Sequence, residues 1–146
     1  MDDFRQVIDL DRATSDDTIT LARTAAEAIR GLNWLTGCNA ALGQPSVAYD
    51  VIGALALAVS RLGQALAQIT RWLDQALAAG QLGHDLGEDP AEAIDATGIF
   101  LGDASMSAAA LAQDLNQAQQ QLALITPGPD EASPSAGPAS QEDLDG

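Results

Sequence analysis

Apolar or small residues recur at Ile52, Leu55, Val59, Leu62, Leu66, Ile69, Leu73 and Ala76, alternating steps of three and four without a break. Only a helix gathers such positions onto one face, so the spacing predicts a long central helix over residues 45–80. Ala56, Ala58, Ala65 and Ala79 flank the row, which lets neighbouring helices approach closely on both sides. A second run, Ile94, Thr97, Leu101, Ala104, Ala108, Leu111, Leu115, Ala118, Leu122 and Ile125, predicts a partner of similar length over 90–125. Towards the N-terminus, Leu21, Ala25, Ala28, Leu32 and Leu35, with Ile19, Ala22, Ala26 and Ile29 beside them, give a third helix, 15–36, that is apolar over a wide face.

The punctuation between these runs agrees with them. Thr14-Ser15-Asp16-Asp17 supplies a hydroxyl and carboxylates to free N–H groups at a helix start, and its acids suit the positive end of the dipole. Gly37 and the stretch to Gln44 form a loop, after which Pro45 fits a first helical turn. Gly80, Gly83 and Gly87 close the central helix, and Asp89-Pro90-Ala91-Glu92 opens the next. The expected fold is all-α, an antiparallel three-helix bundle forming one domain over 1–125. Residues 1–13 form an arm, alternating Phe4, Val7, Ile8 and Leu10 with charges. From Thr126 the chain holds four of its six prolines and no basic residue, the composition of a disordered acidic tail over 126–146.

Composition sharpens the picture of the core. Hydrophobic residues make up 47% of the chain but aromatics only 3%, so helices must pack through Ala and Leu, and a β-sandwich is disfavoured. There is no lysine; 6 arginines oppose 21 acids, a net charge of −15. Nothing basic follows Arg71, which argues against direct nucleic-acid binding, because that affinity comes largely from Lys and Arg releasing counterions. A basic or helical protein partner fits better. The N-terminus lacks a positive leader and an apolar run. The longest apolar run, Val51–Val59, is nine residues, against the roughly 20 of a membrane span. The expectation is a cytoplasmic protein with no membrane association.

Candidate chemistry is sparse. Cys38, the single cysteine, excludes an intramolecular disulfide and a multi-cysteine zinc site. His84, the single histidine, stands beside Asp85 with no nucleophile arranged around it. Glu88, Asp89, Glu92 and Asp95 form the densest carboxylate group; Glu92 and Asp95 share a helix face that could hold Mg²⁺, as in all-α nucleotide pyrophosphatases. The central helix, however, offers only Asp50 and Asp74 against them, so favourable acids at a helix start explain the group better. No catalytic residue, cofactor or metal ligand is assigned. Arg30, Asn33, Tyr49 and Asp50 flank the first loop as a possible polar cluster, read first as a lock on helix register.

Trp34-Leu35-Thr36-Gly37 has W-x-x-G spacing and so departs from the WXG turn of small secreted two-helix proteins. Ile29-Arg30-Gly31-Leu32-Asn33-Trp34-Leu35-Thr36, followed by Val47-Ala48-Tyr49-Asp50-Val51-Ile52-Gly53-Ala54-Leu55, resembles stretches of uncharacterised small α-helical proteins of actinobacteria, over roughly residues 15–80. The resemblance implies a bacterial source and a helical fold, and carries over no activity and no site.

One apolar group stands outside the rows. Antiparallel pairing across the 80–89 loop puts Trp72 level with Ile99 and Phe100, with Met106 nearby. Either the N-terminal arm covers these residues, or they form a homodimer or partner interface. The leading functional expectation is a non-enzymatic helical interaction or adaptor protein that could self-associate. The alternatives are an acidic DNA-mimic inhibitor of a basic nucleic-acid-binding protein and an all-α metal-dependent nucleotide hydrolase.

Overall fold

The structure, a computed structural model, describes residues 12–129, apart from the side chains of residues 39 and 40. Four helices occur and, among the described residues, no strand: α1 (Ser15–Thr36), α2 (Asn39–Leu42), α3 (Pro45–Ala78) and α4 (Pro90–Leu122). The expected arm, save its last two residues, and the tail beyond residue 129 lie outside the described residues. The chain divides into two compact units between Gly43 and Gln44.

In the first unit, Thr14 caps α1 reciprocally. Its hydroxyl accepts from the Asp17 N–H at 3.3 Å, while the Thr14 N–H and hydroxyl donate to the Asp17 carboxylate at 2.8 and 2.9 Å. These bonds, the one from the backbone N–H first, hold the Asp17 carboxyl below its ordinary value of 3.8. No residue of α1 is buried. The one-turn helix α2 lies within the loop expected over 37–44.

In the second unit, α3 and α4 form a long antiparallel hairpin. Ser105 Oγ donates to the Gly63 carbonyl at 3.3 Å, and Gln119 Nε2 donates to the Tyr49 carbonyl at 3.1 Å. A Cβ added at Gly98 would sit 3.6 Å from the Thr70 methyl. α3 ends at Ala78 and α4 at Leu122, each two or three residues before the expected boundary. The turn is built by Gly80, whose φ of 69° is open to glycine at little cost. Its N–H donates to Leu77 O, and the next N–H, from Gln81, reaches Ala76 O, both at 2.9 Å. Asp89 then caps α4 by accepting from the Ala91 N–H at 3.0 Å, with Pro90 in the first turn.

The seam between α3 and α4 keeps Ala76 of the expected rows, 4% exposed, but differs from them at most of the other second positions. Ile52, Val59, Leu66 and Leu73 face α4 as expected, but the intervening places belong to Ala56, Gly63, Thr70 and Leu77. On α4, Ile94, Leu101, Ala108, Leu115 and Leu122 alternate with Gly98, Ser105, Ala112 and Gln119, in place of Thr97, Ala104, Leu111 and Ala118. The reason is steric. Two helices that meet through Ala, Gly, Ser and Thr can bring their backbones close, and the larger neighbours Leu62, Ile69 and Leu111 are then turned about 100° away. Those three are about half exposed, at 50%, 48% and 49%, whereas Ala56 and Ala112 are at 4% and 8%. Among the described residues, four alanines are buried: Ala56, Ala76, Ala108 and Ala112.

Candidate interaction surface

The seam fixes a heptad frame for the hairpin. With Ala56, Gly63, Thr70 and Leu77 at position a, the residues Ile52, Val59, Leu66 and Leu73 take d. Gly98, Ser105, Ala112 and Gln119 are a on α4. In an antiparallel pair the two g rows lie on one flank and the two e rows on the other, because reversing one helix reverses its sense of rotation. The flanks differ in chemistry. The e rows read Gly53, Ser60, Ala67 and Asp74 on α3, and Asp95, Gly102, Ala109 and Asn116 on α4. The g row of α3 reads Leu55, Leu62, Ile69 and Ala76, of which Leu62 and Ile69 are exposed, Leu55 is half-buried and Ala76 is buried; it lies opposite Thr97, Ala104, Leu111 and Ala118 of α4, with no charged residue in either. Next to the g rows, the c rows add Ala58, Ala65 and Trp72 from α3 and Phe100 from α4, with Asp114 as their only charge.

This frame divides the aromatic group singled out in the sequence. All four residues are exposed: Trp72 at 59%, Ile99 at 65%, Phe100 at 71% and Met106 at 67%. Trp72 and Phe100 belong to the g flank, about one helical turn apart in level because Thr70 stands opposite Gly98. Ile99 and Met106 occupy position b and lie on the opposite flank with Leu57. Periodicity alone missed Leu62, Ile69 and Leu111 as surface residues. The signal that finds them is the seven-residue repeat of small residues immediately after them, at Ala56, Gly63 and Thr70, and again at Gly98, Ser105 and Ala112.

The remaining candidates belong to both units. In α1, Arg30 pairs with Glu27 through Nε at 2.7 Å and the other guanidinium nitrogen at 2.6 Å. With side chains 77% and 63% exposed, such a pair contributes at most about 1 kcal/mol. The Asn33 carbonyl accepts from the Gly37 N–H at 3.2 Å, at the end of α1. Tyr49 and Asp50, in the second unit, line an open cleft of about 300 Å³ with Pro45, Leu122, Ile125 and Pro127 at the open end of the hairpin. His84 Nδ1 accepts from the Leu86 N–H at 3.2 Å, which ties the imidazole to its own turn. His84 lines a shallow groove with Glu88, Asp89 and Glu92. No group of three or more His, Cys, Asp or Glu able to hold a metal ion occurs among the described residues.

Comparison with protein families, curated proteins and solved structures yields no match to this chain. The surface must therefore be read from its own chemistry. α3 is also long and apolar enough, by length and composition, to cross a membrane, with a mean hydropathy of 1.4 over its most apolar window. Core helices of soluble proteins pass the same test and are mostly buried, whereas 6% of this window is buried; α3 lies along α4 through a seam containing Gly63, Thr70, Ser105 and Gln119.

Proposed function

We propose that this chain is a non-enzymatic helical interaction protein that works in the cytoplasm by offering apolar helix faces to other helices. The observation that carries this reading is the g flank: Leu62, Ile69, Leu111, Trp72 and Phe100 all stand about half exposed or more on one side of a hairpin whose buried core is four alanines. So thin a core leaves most of the apolar surface of α3 and α4 unused, and a contiguous apolar face without charge is the mark of a contact surface.

Two arrangements would cover the flank. In the antiparallel three-helix bundle expected from the sequence, α1 would supply Leu21, Ala25, Ala28 and Leu32. Its 22 residues reach about 33 Å, long enough for the distance from Leu55 to Trp72. In association between chains, another helical protein or a second copy would supply the cover. The acidic alternative, a DNA mimic, draws on the charge of −15, but Glu88, Asp89 and Glu92 gather at one helix start and do not run along a face. The metal-dependent hydrolase draws on Glu92 and Asp95 and has no facing pair on α3.

Recovery of bound protein on the full-length chain, compared with a Leu62→Asp, Ile69→Asp variant, tests the reading. Helical protein, whether further copies or another chain, is expected with the natural sequence and is lost with a variant of unchanged helicity. Equal recovery with both contradicts the reading. So does Mg²⁺-dependent nucleotide hydrolysis that Glu92→Gln abolishes.

A further inference from the structure

We propose that the g flank of the α3–α4 hairpin is covered by the same flank of a second copy, so that two hairpins form a four-helix bundle about a two-fold axis. This deepens the interaction reading and rests on it.

Charge is the first argument. A chain of −15 repels its own copies, yet neither g row carries a charge and Asp114 alone borders the flank. The acids are kept off the one face where two copies would meet. A basic partner would instead call for acids in or around that face.

Shape is the second argument. Trp72, Ile69 and Phe100 lie towards the loop end of the flank and Leu55, Ala58 and Leu111 towards the open end, with Leu62, Ala65 and Ala104 between them. A two-fold axis through this middle, beside Leu62, lays the Trp72 and Phe100 end of one copy on the Leu55 and Leu111 end of the other. That is the self-complementary contact a symmetric dimer requires. The patch is roughly 25 Å long and about 20 Å wide, on the order of 500 Å² before side-chain relief is counted. This is below the about 800 Å² per partner of standard stable complexes and within the range of weaker interfaces that dissociate on dilution.

Sedimentation equilibrium of the purified full-length protein tests the proposal. The expected mass is twice the 15.0 kDa of the chain, falling to the monomer on dilution. Added salt should tighten the dimer by screening the repulsion of like charges. Leu62→Asp with Ile69→Asp should give a monomer with unchanged circular dichroism. Should that variant lose helicity, Trp72→Glu, more exposed and outside the g row, should weaken the dimer by itself. A strict monomer at every concentration overturns the proposal, as does a dimer indifferent to all these substitutions. A monomer that still captures a different protein through Leu62 and Ile69 overturns the dimer but leaves the interaction reading standing.

Discussion

Ala56→Asp should separate α3 from α4. Ala56 is 4% exposed at an a position of the seam, within an interface whose other a positions on α3 are Gly63, Thr70 and Leu77. A carboxylate there has no arginine on the facing helix, because nothing basic follows Arg71. Burying an unpaired charge costs several kcal/mol, and even the protonated acid overfills a site sized for a methyl group. A loss of about 3 kcal/mol or more is expected in urea unfolding, measured in the monomeric Leu62→Asp, Ile69→Asp background so that dissociation does not contribute. Ala58→Asp, two residues further on in the exposed c row, should cost only a few tenths of a kcal/mol.

Gly63 offers a finer contrast, because two substitutions at one site should act in opposite directions. A Cβ at Gly63 would stand 3.4 Å from Ser105 Oγ and 3.8 Å from Ser105 O, ordinary contact distances. Gly63→Ala should therefore keep the seam and gain up to about 1 kcal/mol from helix propensity and a less free unfolded chain. Gly63→Leu must force the helices apart at their closest approach and should lose roughly 1–3 kcal/mol. If the heptad frame were that of the expected rows, with Leu62 inside and Gly63 outside, both substitutions would stabilise an exposed helical site. Equal gains from alanine and leucine in urea unfolding would thus refute the seam described above.

The comparison between expectation and fold turns on such pairs of neighbours. Helix existence and ends were legible, because caps such as Thr14 with Asp17 and Asp89 before Pro90 act locally and were written in adjacent residues. Half of each seam was also legible: Ile52, Val59, Leu66 and Leu73 recur at seven and leave no choice of face. Of the other half, Ala76 is buried as expected, while the rest is misassigned because a hydrophobicity reading prefers Leu62 to Gly63, Ile69 to Thr70 and Leu111 to Ala112. Close helix pairs prefer the smaller residue of each pair. The short helix α2 spans one turn and carries no periodic signal. The apolar flank followed from the corrected frame and could not be seen before it, since moving a row by one residue moves its leucines from core to surface. Of the four aromatic-group residues, Trp72 and Phe100 stay on that flank while Ile99 and Met106 fall on the other, a separation visible only once the a positions are known.

The central claim is that the g flank lies open in one chain and is closed by a second. Trp72 reports on it directly: it is 59% exposed, and Trp34→Phe makes it the sole indole. Its emission should be that of a solvated indole at high dilution and shift to shorter wavelength as concentration rises, in step with the mass. Emission that is blue-shifted at every concentration in a protein of constant monomeric mass, or that stays that of a solvated indole as the mass doubles, would contradict it.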